Sequence, residues 1–296
     1  MNDIKPLLCG LLTYAPFRRE HRGGGTASAR YCYAVWMRHL VMLAKNGLST
    51  RPRVVAELGP GDSLGLGLCA LLSGADEYYA FDVGTRAPTG KNRELLAELT
   101  GLFRARAGIP DEIEFPAIMP RLDAYSFPRH ILPDEALDTN RGDISGRMRY
   151  FTPWNDNTVV KGESVDLVVC QAVLEHVRDL DYTYKSLYRW LKPGGVVSLL
   201  IDFSSHSVAR EWNGHWRYSD MAWRVIRGRR PYLLNRAPHS RHLRLLRENG
   251  FEVVCDIKTT MRSGAQRKDL AREFKDMSDD DLSTGIAFIQ AVKERR

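Results

Sequence analysis

This chain is poor in cysteine, poor in lysine and without long apolar runs, and each shortage narrows what it is. Nowhere do about 18 apolar residues follow one another, so no membrane span is expected. The 5 cysteines, at 9, 32, 69, 170 and 255, are odd in number and scattered, with no Cys-x-x-Cys. That argues against a disulfide framework and a cysteine zinc site. Two of them fall in predicted strands, which points to buried thiols and a reducing, cytoplasmic setting. The first residues, "MNDIKPLLCGLLTYAPFRRE", carry Asp3 ahead of their apolar patch and Pro6 inside it, unlike a secretory leader. No Gly-Lys-Ser/Thr follows the glycines at 59–65, so a phosphate-binding loop is excluded. There is no Asn-Pro-Pro-Tyr site and no appended recognition domain, so a nucleic-acid partner is not expected. Repeats and low-complexity tracts are absent as well.

What is present is an ordinary core-building composition, 44% hydrophobic and 27% charged, with a net charge of +7. Arginine supplies the excess, 33 against 10 lysines, and is densest in "WRVIRGRRPYLLNRAPHSRHLRLLR" at 223–247. Elsewhere the basic residues are interleaved with acids. A small anionic substrate suits that pattern as readily as a polynucleotide does.

Along the chain, strand-like and helix-like segments alternate. "SARYCYAVWMRHLVMLAK" (28–45) reads as a helix, and "PRVVAEL" (52–58) as the first strand. "GDSLGLGLCALLSGA" is a helix closed by Gly74, "EYYAFDVG" (77–84) a strand, and "KNRELLAELTGLFRARAG" (91–108) a helix. Residues 109–147 are irregular and proline-rich, with short helices expected, and "RMRYF" (147–151) is a third strand. "SVDLVVCQAV" (164–173) lacks polar alternation, as a strand buried on both faces should. The helix "DLDYTYKSLYRWL" follows, "KPGG" is a turn, and "VVSLLIDF" is the fifth strand. After an irregular 206–236, "SRHLRLLRENGFEVVCDIKT" and "TGIAFIQAVKE" restore helix and strands. This rhythm predicts an α/β fold with one doubly wound sheet. Residues 1–50 are expected to form a helical extension or lid, and 51–296 the main domain, with a substrate-side insertion at about 206–236.

"VVAELGPGDSLGLG" holds the first chemical signal. Gly59 and Gly61 flank Pro60 directly after a strand, where glycine permits a tight turn and close approach of a ligand to the backbone; Gly65 is expected to let the helix pack on the strand. Glu57 precedes them. A carboxylate there suits an amine better than the pyrophosphate of a dinucleotide. Asp82 ends the second strand, 23 residues after Gly59, where a carboxylate can accept bonds from ribose hydroxyls.

"VVAELGPGDSLG", "YYAFDVG", "SVDLVVCQAVLEHV" and "WLKPGGVVSLLIDF" together resemble the class I S-adenosylmethionine-dependent methyltransferases in order and spacing. The resemblance implies a seven-stranded sheet with the last strand antiparallel. It implies that Glu57, Gly59, Pro60 and Gly61 surround the methionine part of the cofactor S-adenosyl-L-methionine and that Asp82 holds its ribose. Trp154, Asn155 and Asp156 are adenine-side candidates, and Gln171 and Glu175–His176 line the methionine end. "YCYAVWMRHL", "IDFSSHSV" and "NRAPHSRHLRLLRENGFEV" resemble more narrowly a subgroup associated with polysaccharide or secondary biosynthesis. That subgroup commonly reads Asp-x-Ser-Asp-His where this chain has Asp202-Phe-Ser204-Ser205-His206.

An alcohol acceptor benefits from a base, and histidine suits the task. His206, then His215, are the catalytic candidates; Asp202, Tyr218, Arg236 and His239 are the substrate-side ones. Asp202, His206 and His215 offer nitrogen and oxygen donors, but "DFSSH" lacks a doubled carboxylate, so no metal is expected. The expected function is methyl transfer to an oxygen of a small polar or anionic acceptor, a sugar or secondary metabolite. An NAD-dependent oxidoreductase and an inactive cofactor-binding scaffold are the alternatives. A homo-oligomer is compatible with all three.

Overall fold

The computed structural model describes residues 4–15, 26, 28–84, 89–139, 144–154 and 156–294. Its centre is a seven-stranded sheet in the order β3-β2-β1-β4-β5-β7-β6. The strands are β1 (Val54–Leu58), β2 (Glu77–Phe81), β3 (Met148–Phe151), β4 (Val165–Gln171), β5 (Leu191–Asp202), β6 (Phe251–Thr260) and β7 (Thr284–Lys293). The first five run parallel, and β7 lies antiparallel to both β5 and β6. Side-chain alternation sends Val55, Tyr78, Leu167, Val169 and Leu200 to one core and Ala56, Phe81, Val168, Cys170 and Ile201 to the other. Helices cover both faces, which is why the middle of β4, Leu167–Cys170, is an unbroken buried apolar run.

On the first face lie α2 (Ala29–Lys45), α3 (Gly65–Leu72) and α4 (Thr89–Arg104). Ser28 caps α2, its hydroxyl accepting from the Tyr31 N–H. Of this helix's 17 residues, 12 are buried, Arg38 among them. The Arg38 guanidinium donates to the carbonyls of Ala34, Pro110 and Pro120, and so ties the irregular stretch after α4 to the core. Within 109–139 and 144–147 only two single helical turns form, Asp134–Ala136 and Ser145–Arg147. Gly67, rather than Gly65, brings α3 onto the sheet, since a Cβ there would strike the Tyr78 ring; a Cβ at Gly65 would strike Cys32 on α2.

The second face carries α5 (Leu180–Trp190) and α7 (His239–Glu248). "KPGG" is not a turn ahead of β5 but a step inside it. Val165 pairs with Leu191 and Leu167 with Val196, so Lys192–Gly195 pass without partners on β4. Between β5 and α7 the chain forms a small subcore of Val208, Tyr218, Trp223, Ile226 and Leu234, built around α6 (Asp220–Arg227). α1 (Lys5–Leu12) lies on α6 at Gly10, where a Cβ would collide with the carbonyls of Val225 and Ile226. A five-residue α8 (Asp279–Ser283) precedes β7. Among the described residues no helix is long and apolar enough to cross a membrane.

Candidate active site at the C-terminal edge of the sheet

Glu57 and Asp82 stand at the ends of adjacent parallel strands, both buried. Register supplies Glu57 with its partner: Tyr78 lies opposite Val55 on the same face and its hydroxyl donates to Glu57 Oε2. Burial pushes the Glu57 carboxyl up to about 8; the Tyr78 hydrogen bond opposes this and the Asp82 charge adds to it. Gly59 and Gly61 both have φ +73°, a left-handed turn that favours glycine. The Gly59 N–H donates to the Phe81 carbonyl at 2.8 Å, and a Cβ on Gly59 would lie 2.5 Å from Val173 Cγ2. Pro60 between them is buried. Asp82 Oδ1 accepts from the Val83 N–H at 2.7 Å, and Oδ2 from the Tyr150 hydroxyl at 3.3 Å.

The loop after β3 is tied to the same point, because the Trp154 N–H donates to the Asp82 carbonyl at 2.9 Å. The Trp154 ring meets Phe81, Tyr182 and Trp190 at centroid distances of 6.1, 6.2 and 5.6 Å, within the protein's own aromatic cluster. Asp156 accepts from both the N–H and the hydroxyl of Thr158, which hold its carboxyl below the usual range. Asn155 lies outside the described residues.

Two further loops complete the edge. Gln171 ends β4, its Oε1 buried and its side chain turned toward His39 on α2, and Ala172 follows at φ +53°. The helical turn Leu174–His176 then presents Glu175, whose carboxylate is buried and meets no donor side chain, only the backbone N–H groups of Glu175 and Asp202 at the margin of contact. Burial drives its pKa well above the ordinary value. After β5, His206 and Ser207 are both left-handed, at φ +46° and +65°; non-glycine residues adopt that conformation only when held there. The turn brings His206 Nε2 to 3.1 Å from Asp202 Oδ2 and its ring to 5.0 Å from that of His176. Burial raises the Asp202 pKa, but hydrogen bonds from His206 and the Ser204 N–H outweigh it and the carboxyl titrates below its usual value.

The other substrate-side candidates lie deeper. His215 is 2% exposed, its ring tilted against that of Trp216 at a centroid distance of 4.5 Å, and burial lowers its pKa to about 3, with the charges of Arg236 and His206 adding to the effect. It is a neutral imidazole behind the His206–Asp202 pair. Arg236 donates to the Tyr218 carbonyl and to Asp220, and its guanidinium is sandwiched at 4.8 Å by both Trp223 and Phe274. Tyr218 is itself 3% exposed in that subcore. His239 faces β6, its Nε2 2.8 Å from Asp256 Oδ1. On α2, His39 packs on β5 through Ser198, Nδ1 to Oγ 2.7 Å.

Three side chains escape a reading by motif: Tyr78 and Tyr150, which brace the two acids, and Arg38. The strand register signals the first two. No local pattern signals the third.

A sheet in this order with β7 reversed, a left-handed glycine turn after β1 and an acid after β2 defines a methyltransferase-type Rossmann-like enzyme. A family model described as "Methyltransferase domain" matches residues 38–256, and the chain belongs to that family, the S-adenosylmethionine-dependent methyltransferases. The oxidoreductase alternative falls with this assignment. Among solved structures, a S-adenosylmethionine dependent methyltransferase from Mesorhizobium loti is similar at 14% identity, covering 88% of this chain and 97% of that one, with a TM-score of 0.43. The phosphoethanolamine N-methyltransferase 2 of Haemonchus contortus, in complex with S-adenosyl-L-methionine, is similar at 15% identity over 90% of this chain and 57% of that one, TM-score 0.44. No curated protein matches closely enough to be counted. The residues present fit such a cofactor: two buried acids at adjacent strand ends, able to accept from an amine and from sugar hydroxyls, and backbone turns that only glycine adopts freely.

Proposed function

We propose that this enzyme methylates an oxygen of a small polar or anionic acceptor, such as a sugar unit or a secondary metabolite. When bound, S-adenosylmethionine supplies an electrophilic methyl group. Glu57, Gly59, Pro60 and Gly61 hold its methionine end together with Gln171 and His176, Asp82 holds the ribose, and the 154–156 loop borders the adenine. The observation that carries the oxygen reading is the Asp202–His206 pair, held by a left-handed turn at the end of β5. That strand is two removed from β1 on the same sheet edge. An acceptor hydroxyl must shed its proton, and a histidine oriented by a carboxylate is the group suited to assist. His215, behind the pair, and the Arg236 and Tyr218 lattice shape the acceptor wall. Alignment in a dry pocket supplies much of the remaining rate.

The test is incubation with methyl-labelled donor and a panel of free sugars, sugar phosphates, uronic acids and phenolic acids, with the labelled product located by mass spectrometry and NMR. The expected product is a methyl ether or ester, lost in His206→Asn while donor binding persists. Label on nitrogen or carbon, or transfer undiminished in His206→Asn, would overturn the reading.

A further inference from the structure

We propose that Glu175, His176 and His206 form a binding site for one divalent transition-metal ion where the methionine end of the cofactor site meets the acceptor side. Each of the three offers a ligand atom, and these atoms all lie within 4.8 Å of one another. They come from two loops, the turn after β4 and the left-handed turn after β5, so no sequence motif announces them. "DFSSH" alone lacks the carboxylate a metal needs, but the fold supplies it from the neighbouring strand as Glu175.

The independent sign of a ligand is Glu175 itself. The residue is 4% exposed, and its carboxylate meets no donor side chain, only the backbone N–H groups of Glu175 and Asp202 at the margin of contact. A polar group buried with so few donors is costly, and a cation supplies the missing partner. Its loop is also fixed in place. Asn235 donates through its backbone N–H to the Glu175 carbonyl at 2.7 Å, and through Nδ2 to the carbonyls of Leu174 and Val177 at 2.6 and 2.9 Å. Two of the three ligands therefore sit on a clamped turn, as a metal centre requires. The third has the second-layer partner usual for a metal-bound imidazole. Asp202 Oδ2 lies 3.1 Å from His206 Nε2, which assigns the ring proton to Nε2 and leaves Nδ1 with a lone pair.

Two imidazoles and one carboxylate favour zinc, iron(II), manganese(II) or cobalt(II) over magnesium and calcium. Three protein ligands leave coordination positions open, and the His206 side chain is 31% exposed, on the side from which an acceptor arrives. The role of the ion deepens the oxygen-acceptor reading and rests on it, with one change: when the ion is bound His206 is its ligand and not the base, and a hydroxyl entering an open position would be acidified by the ion and give its proton to water. The existence of the site does not depend on that reading.

The test uses untagged full-length protein, stripped with a chelator, dialysed and titrated with cobalt(II) chloride. One equivalent is expected to bind, with visible bands of nitrogen- and oxygen-ligated cobalt that zinc abolishes by displacement. Glu175→Gln and His206→Asn should each weaken cobalt binding at least about tenfold, and Asp202→Asn by less. Circular dichroism and donor titration verify that the variants are folded. Substoichiometric binding, no visible bands, or equal affinity in the variants would overturn the proposal. Cobalt bound here together with label on nitrogen would sink the acceptor reading and leave the ion site standing; oxygen transfer without bound cobalt would do the reverse.

Discussion

The two sides of this active site are built by different means. On the side proposed for the donor, Glu57, Gly59 and Asp82 are placed by strand register and by turns within a few residues of each strand, and their partners Tyr78 and Phe81 lie on the adjacent strand. Toward the side proposed for the acceptor, Glu175, His176 and His206 meet from separate loops, and beyond them lies a subcore of its own, joined through Asn235 and Arg236. The first arrangement can change little without breaking the sheet. The second can change its substrate by altering an insertion the sheet does not need. A shared cofactor with varied acceptors follows from that division.

The comparison is put at most risk by Glu57. Glu57→Gln should weaken S-adenosylmethionine binding about 10- to 100-fold in calorimetric titration, because charge-assisted hydrogen bonds contribute about 1.5–3 kcal/mol. An unchanged affinity would detach the glycine turn from the donor. The same residue has a pH signature. Its pKa is raised on folding from 4.5 to about 8, so its contribution to stability is complete below the unfolded value and lost as pH rises through the folded one. Thermal melts of the donor-free protein across that window should fall with pH, and Glu57→Gln should flatten part of the slope. Glu175 shifts in the same direction and accounts for another part.

Next in size is Arg236→Ala. It leaves the Trp223 and Phe274 rings without their cation and Asp220, 60% exposed, without its partner. A loss of about 2 kcal/mol is expected in denaturant titration, below that of a fully buried pair because solvent screens one side. Donor affinity should stay within about twofold, and a large drop would mean that the two sides are one unit. Asp82→Asn should cost about 1 kcal/mol of donor affinity, since the amide oxygen still accepts one bond. Smallest is His215→Phe. The ring is already neutral and buried, so donor affinity should move by about twofold or less. A tenfold change there would place His215 on the donor side.

How much could be read in advance follows the same line. β1, β2, β4 and the pair β6–β7 are legible because apolar runs and bounding glycines are local signals, and with them the positions of Glu57 and Asp82. The step at Lys192–Gly195 is not, because a Pro-Gly-Gly reads as a turn whether it precedes a strand or interrupts one. Gly65 and Gly67 differ only in which neighbour they face, and that depends on where α2 lies. Arg236 reads as a free anion hook in "LLNR", and only the tertiary fold reveals Trp223, Phe274 and Asp220 around it. Glu175 reads in "LEHV" as a neighbour of the methionine end, and only the fold shows its carboxylate buried close to His206.

The contact of α1 with α6 at Gly10 has a practical consequence. The α1 helix is a splint on the α6 subcore, with Leu7 packed against its apolar centre. If that subcore receives the acceptor, as proposed above, fusions, tags or trimming at the α1 end are interventions on substrate choice. An assay meant to find the natural acceptor should begin with that end untouched.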